Sequence, residues 1–353
     1  SFNLRKNIRP VRDSVGGDKL FRNDGERFTD VSEAAGIYGS VIGFGLGVTV
    51  GDIDRDGWPD IYVSNDFFER DYIYMNNRDG TFRETLTRQM RSISAASMGA
   101  DMADINNDGW PEIFVTEMLP EPDYRIKTKT TFENWDRYQY GVQNGYYHQF
   151  TRNMLHLNNA GGPHGEITFS EIGRLADVEA TDWSWGALIQ DFDNDGRKDI
   201  FVANGIFQDL TDQDFLNFIA HEETMRAIIT QKGVDYKTLI DLIPSERIPN
   251  YLFRNEGNLH FRNVAAEWGL ATPSHSNGSA YADLDNDGDL DLVVNNVNMP
   301  PFLYRNNCER LPERHFLAFR LHGTGANPFA VGTRITLKAQ GREFYLEHFP
   351  TRG

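Results

Sequence analysis

Four copies of one aspartate-rich nonapeptide carry most of the chemistry in this 353-residue chain. They read Asp52-Ile-Asp-Arg-Asp-Gly-Trp-Pro-Asp60, Asp104-Ile-Asn-Asn-Asp-Gly-Trp-Pro-Glu112, Asp191-Phe-Asp-Asn-Asp-Gly-Arg-Lys-Asp199 and Asp283-Leu-Asp-Asn-Asp-Gly-Asp-Leu-Asp291. Side-chain oxygens stand at positions 1, 3, 5 and 9 of every copy. These are Asp52, Asp54, Asp56 and Asp60; Asp104, Asn106, Asp108 and Glu112; Asp191, Asp193, Asp195 and Asp199; and Asp283, Asp285, Asp287 and Asp291. Glycine always fills position 6, where it permits the sharp turn that points the acids inward. Position 7 (Trp58, Trp110, Arg197 or Asp289) adds a backbone carbonyl. Each loop thus nears the six or more oxygens that Ca²⁺ takes, and about four calcium sites are expected.

The elements around the loops must be strands. An EF-hand would need a glutamate at position 12 and a helix on each side. Position 12 is instead Val63, Val115, Val202 or Val294, within runs such as Ile-Tyr-Val and Ile-Phe-Val. The residues before the loops, Gly47-Val-Thr-Val-Gly51 and Gly186-Ala-Leu-Ile-Gln190, also read as strand. Each loop therefore joins two antiparallel strands.

A second pattern recurs out of phase with the first. Lys19–Val31, Asp71–Glu84 and Asn250–Val264 each give a strand, a polar Asn/Gly turn and a returning strand that contains phenylalanine. Asn153–Ile172 is a further copy with a longer turn, and Pro301–Asn307 begins another and breaks off. Together the two patterns define four-stranded units, which fit the blades of a β-propeller better than the shorter repeats of a solenoid.

These motifs resemble the FG-GAP/VCBS repeats of integrin-α-like calcium propellers. Gly43-Phe-Gly-Leu-Gly-Val, Ser97-Met-Gly-Ala, Trp185-Gly-Ala and Asn277-Gly-Ser-Ala stand in variant form where that family has its Phe-Gly…Gly-Ala-Pro signature. The resemblance spans roughly residues 17–307 and implies calcium ligation at positions 1, 3, 5, 7 and 9. Asn106 and Glu112 depart from the pattern, so the second loop is expected to bind most weakly. The alternating stretch His315–Lys338 resembles the start of an ASPIC/UnbV module. The expected organisation is a partial-blade segment at 1–40, propeller blades at 41–310 with insertions at 119–152 and 207–249, and the start of an ASPIC/UnbV-like β-domain at 311–353. The family usually has seven blades, so the propeller visible here is expected to be incomplete or to close unusually. The chain opens on Ser1, which suggests a processed or truncated product.

The first insertion concentrates Tyr124, Phe132, Trp135, Tyr138, Tyr140, Tyr146, Tyr147, His148 and Phe150. Such a set either covers a blade edge or grips a sugar or a protein partner. The second insertion turns to helical periodicity. Thr211 is its candidate N-cap, with Asp214 three residues on. Phe215, Phe218, Ile219, Met225 and Ile228 fall near one face, and a second short helix is expected over Tyr236–Ile243.

Net charge is −17, and four divalent cations would bring it to −9, which leaves nucleic acid a poor partner. No apolar run reaches the roughly 18 residues of a membrane span, so any membrane association would be peripheral or through a lipid anchor. The lone Cys308 excludes an internal disulfide framework. His221-Glu-Glu-Thr-Met225 lacks the second histidine of a zinc-protease motif, and no nucleophile elbow or P-loop is present. The expectation is a non-catalytic, calcium-binding, extracytoplasmic binding or scaffold module for a protein partner. A carbohydrate-binding surface on 119–152 is the alternative, and a polysaccharide-degrading propeller enzyme is the lesser one.

Overall fold

A computed structural model of the chain describes residues 8–131, 134–161, 166–221, 229–230, 233–234, 236–339 and 341–350. Blade 1 runs Gly45–Gly51, Asp60–Asn65, Tyr72–Asn76 and Phe82–Glu84, each strand antiparallel to the last. Blade 2 is Ala100–Ala103, Glu112–Val115, Met154–Gly161 and Ile167–Glu171. Blade 3 is Ser184–Gln190, Asp199–Asn204, Tyr251–Gly257 and His260–Asn263. Blade 4 has three strands, Ser276–Ala282, Asp291–Asn296 and Phe302–Tyr304. A leading hairpin, Phe21–Asn23 with Phe28–Asp30, precedes them. The architecture is an all-β propeller arrangement.

The core lies between blades. One apolar layer, including Ile73, Met102, Ile113 and Phe169, joins blades 1 and 2. A second joins blades 2 and 3 through Phe114, Leu155, Val202 and Phe253, and a third joins blades 3 and 4 through Phe201, Leu252 and Leu292. Ala35 and Ile37, which follow the leading hairpin, cover Val63, Tyr72 and Tyr74 of blade 1. The second strands of blades 1, 2 and 3 are therefore packed on both faces, and every residue of Asp199–Asn204 is buried. This explains why their sequences are nearly continuous apolar runs rather than alternating ones. Innermost strands crowd together. Thr49 Oγ1 donates to the Ala100 carbonyl at 2.6 Å, and the Ile189 N–H donates to Asp101 at 2.7 Å. A Cβ on Gly99 would lie 2.4 Å from the Trp185 carbonyl, which accounts for the glycine in the Ser97-Met-Gly motif.

In each blade the metal loop joins the first strand to the second, and both insertions join the second to the third. Antiparallel pairing puts these connections at opposite ends. Both insertions are helical, whereas only the second was expected to be. The first contains helices Asp123–Lys129 and Trp135–Gln143, whose aromatic content had masked the helical spacing. Its Phe132 lies outside the described residues. In the second, the N-cap of helix Gln213–Ala220 is Asp212 rather than Thr211. Asp212 accepts from the Phe215 N–H at 2.7 Å, and Thr211 bonds back to Asp209. Phe215 is buried but Phe218 is exposed, so the expected apolar face is only partly used; Met225 and Ile228 lie outside the described residues. The later helix is shorter than expected, Tyr236–Asp241.

Arg125 ties the two insertions together. It is 3% exposed and pairs with Asp182, Asp209 and Glu246, while Lys129 reaches Asp209 and Asp212. Among the described residues no helix is long and apolar enough to cross a membrane.

Candidate metal centres

All four loops share one backbone shape. Position 4 (Arg55, Asn107, Asn194 or Asn286) has φ between 52° and 63°, and the position-6 glycines have φ between 86° and 95°. Two left-handed residues close together fold the loop back on itself, at least cost when they are asparagine and glycine. The position-1 aspartate fixes that fold. Asp52, Asp104, Asp191 and Asp283 each accept the N–H of the position-6 glycine, at 2.8, 2.8, 2.8 and 3.2 Å.

The position-9 acid anchors the loop to the sheet. One oxygen of Asp60, Glu112, Asp199 and Asp291 accepts the position-2 N–H, at 2.8–3.1 Å. In Asp60, Asp199 and Asp291 the other oxygen accepts an N–H from the third strand, from Asn76 and Asn255, or from just past it, from Asn306. The carboxylates then converge. Asp52, Asp54 and Asp60 offer oxygens within 4.8 Å of one another, as do Asp191, Asp193 and Asp199, and Asp283, Asp285 and Asp287.

Not every anticipated residue joins these groups. Asp56 and Asp195 turn one oxygen inward to a loop N–H and the other outward to arginine: Arg78 for Asp56, and Arg197 and Arg254 for Asp195. The acids of loop 2 form no such group of three among the described residues. Asn106 replaces one of them and donates to Asp108 at 2.9 Å. At loop 4 the position-7 side chain is itself an acid, and Asp289 lies with Asp287 and Glu309 in a further cluster. Glu309 lies outside the nonapeptide.

Burial makes this arrangement electrostatically incomplete by itself. It pushes Asp60 up to about 8 and Asp191 up to about 6, against nearby backbone donors. Glu112 and Asp199 are also raised, chiefly by burial. Asp52 Oδ1 and Glu112 Oε1 are buried oxygens without a hydrogen-bond partner. Buried acids, orphaned oxygens and an all-oxygen donor set fit a hard divalent cation. Asp52, Asp54 and Asp60 can hold one, as can Asp191, Asp193 and Asp199; in loop 4 the group is Asp283, Asp285 and Asp287, which Asp291 does not join.

Sequence reading missed the residue that links one loop to the next. Asn76, Asn158, Asn255 and Asn306 occupy the same place on the third strands, and each amide donates to the position-8 carbonyl of its own loop. The last three also reach the position-2 carbonyl of the preceding loop: Asn158 to Ile53, Asn255 to Ile105 and Asn306 to Phe192. Their recurrence within the hairpin pattern was the available signal, but it reads equally well as turn chemistry. Position 4 adds a link in the other direction, from Asn107 to the Gly196 carbonyl and from Asn194 to the Gly288 carbonyl.

The C-terminal segment lies over these loops. Arg314 reaches Asp193 at 3.0 Å, Arg334 reaches Asp52 at 3.4 Å, and Arg55 stacks over both Trp110 and Tyr345. Lys198 Nζ donates to the carbonyls of Asp104 and Tyr345. The hairpin Thr333–Ala339 with Arg342–His348 thus covers the metal-loop end.

Residues 11–63, 57–115 and 240–294 match the model of the FG-GAP-like repeat. The chain carries FG-GAP-like repeats in three places. Each matched stretch ends at the valine of position 12, after loops 1, 2 and 4. Loop 3 lies outside the matches but has the same geometry. Cartilage acidic protein 1 from Mus musculus is 24% identical over 288 residues, covering 73% of this chain and 41% of its own length. The Homo sapiens protein of that name is 24% identical over the same length, with 40% of it covered. The chain thus spans about two-fifths of these curated relatives. A solved structure concerning recognition of non-reducing terminal N-acetylglucosamine by an Agrocybe aegerita lectin aligns with 82% of this chain and 60% of its own, at 15% identity and a TM-score of 0.33.

Proposed function

We propose that the chain is a non-catalytic, calcium-binding recognition module that works outside the cytoplasm and meets a protein partner. In this reading the cations are structural. They neutralise the loop carboxylates and fix the blades, and contact falls to the opposite end. The supporting observation is the separation of the two ends. The metal loops lie under the C-terminal hairpin, whereas the insertion end presents aromatic side chains to solvent. Phe67, Tyr124, Trp135 and Tyr140 are exposed there. Trp135 stacks on Tyr138 at 5.5 Å, and Arg137 lies over Phe68 at 5.3 Å. Aromatic and arginine side chains held by an ordered scaffold are the usual anchors of protein interfaces. Millimolar free calcium outside the cytoplasm would keep loops of moderate affinity filled.

One observation favours a glycan as the second reading: Trp135 is 68% exposed, and sugar stacking needs an accessible aromatic side chain. The test is binding to a glycan panel and to candidate envelope or matrix proteins, in millimolar Ca²⁺ and in chelator, with a Trp135→Ala variant alongside. Calcium-dependent protein capture that falls at least about tenfold in the variant supports the main reading. Glycan binding with the same dependence replaces it with the second. Binding that ignores both calcium and Trp135 refutes both.

A further inference from the structure

A cavity of about 690 Å³ opens between the outer parts of blades 3 and 4, and the repeat itself shows what belongs there. In blades 1, 2 and 3 the fourth strand carries a phenylalanine directly opposite the linking asparagine: Asn76 faces Phe82, Asn158 faces Phe169 and Asn255 faces Phe261. Each of these rings enters the apolar layer shared with the preceding unit. In two cases the backbone completes the fit. The Phe82 N–H donates to the Ala35 carbonyl at 2.8 Å, and the Phe261 N–H donates to the Ala176 carbonyl at 3.2 Å.

Ala35 and Ala176 stand at one position of a recurring turn, and Trp268 is its third occupant. The N–H groups of Ala35, Ala176 and Trp268 donate to Val31, Ile172 and Val264, and those of Ile37, Val178 and Leu270 donate to Ser32, Gly173 and Ala265. Blade 4 has the matching asparagine, Asn306, but no fourth strand. Among the described residues nothing pairs with the outer edge of Phe302–Tyr304, and no described donor reaches the Trp268 carbonyl. The chain itself passes by. After Asn306 it enters the short turn Cys308–Arg310, and Arg314 then reaches Asp193. The cavity, floored by Leu252, Leu270 and Leu292 and walled by Trp268 and Tyr304, is the seat that the missing strand leaves. Its volume is that of a ligand pocket, about 300–1,000 Å³.

We propose that this seat binds an extended polypeptide segment from a protein partner, which adds the fourth strand to blade 4 and inserts an aromatic side chain between Trp268 and Leu292. Register follows from the filled blades. The aromatic residue lies opposite Asn306 and gives its N–H to the Trp268 carbonyl, and the next residue faces Arg305. The half-exposed Arg305 guanidinium pairs with Asp285 and Asp287, and a cation taken by those two acids would leave it to an acid at that place. Recognition is then strand addition for affinity, with a pocketed aromatic side chain for specificity.

The probe is a labelled peptide that copies residues 80–85 with Arg83→Glu, titrated to millimolar concentration against the 353-residue chain in calcium. A second peptide also carries Phe82→Ala. Leu311, which lines the cavity and is exposed, is changed to Glu in a parallel variant, with thermal melting to confirm its fold. Expected results are saturable binding, a loss of at least about tenfold with the Phe82→Ala peptide, a similar loss with the Leu311→Glu protein, and slowed amide exchange in Phe302–Tyr304. No saturation by millimolar peptide overturns the proposal. So does equal binding of the two peptides, or binding unaffected by Leu311→Glu. A chain that is dimeric alone and becomes monomeric with Leu311→Glu would give the seat to a second copy and overturn the separate partner.

Discussion

Asn255 shows how a neutral side chain holds an acidic array in place. Its two amide protons serve carbonyls in two different metal loops, Lys198 in its own and Ile105 in the one before. Replacing it with alanine strands two buried acceptors, at about 1–3 kcal/mol for each unsatisfied group. Asn255→Ala should therefore lower stability by about 2–3 kcal/mol in calcium-saturated urea unfolding. Asn76 has the same place, but its amide donates only to the Pro59 carbonyl and its oxygen accepts the Arg78 N–H, both near solvent, so Asn76→Ala should cost less than about 1 kcal/mol. Equal losses would refute the linking role. The loop acids make a second prediction. Asp60 and Asp191 titrate higher in the folded chain than when unfolded, so metal-free protein binds more protons folded than unfolded. Their contribution is complete at low pH and lost as pH rises toward about 8. Buried His156, lowered to about 4, acts in the opposite sense below its ordinary value of 6.5. In chelator the melting temperature should therefore fall from about pH 6.5 to 8, and calcium should abolish that fall.

At the scale of elements, the strands and metal loops were legible because their periodicity and glycine spacing are local properties. The insertions were less so. Aromatic residues in 119–152 gave no clean helical stripe, and helix Asp123–Lys129 is held by an ion-pair hub rather than by an apolar face. Arg125 pairs with Asp182, Asp209 and Glu246, residues far apart in sequence, so no local pattern could disclose it. Arg125→Ala leaves buried Asp182 without its charged partner and Asp209 with Lys129 alone, and should cost about 3–5 kcal/mol, read by thermal melting. The misplaced N-cap has a similar lesson. Thr211 and Asp212 are both good caps, and the choice went to Asp212, whose carboxylate also meets Lys129. Asp212→Ala should cost about 1 kcal/mol for the cap alone and more if Lys129 is freed, whereas Thr211→Ala should cost less.

Across the whole molecule, the propeller architecture followed from counting repeats, but the use of its two ends did not. That the C-terminal segment folds back over the metal loops depends on Arg314, Arg334 and Tyr345 meeting residues more than a hundred positions earlier, and no spacing announces that. Neither did the sequence suggest that blade 4 leaves a seat rather than a ragged edge. If the loops fill as proposed, calcium at ten to a hundred times its dissociation constant should add about 1.4–2.7 kcal/mol per site, measured as the gain in melting temperature over chelator. A gain worth a single site would mean that most loops stay empty. The asparagine links carry a last consequence. Because each of the first three loops accepts a donor from the blade after it, the four loops form a short one-dimensional lattice with nearest-neighbour coupling. Filling one stiffens the next, so a calcium titration should rise more steeply than for independent sites. Position also matters: a defect in an end loop shortens the lattice by one, whereas a defect in the middle divides it.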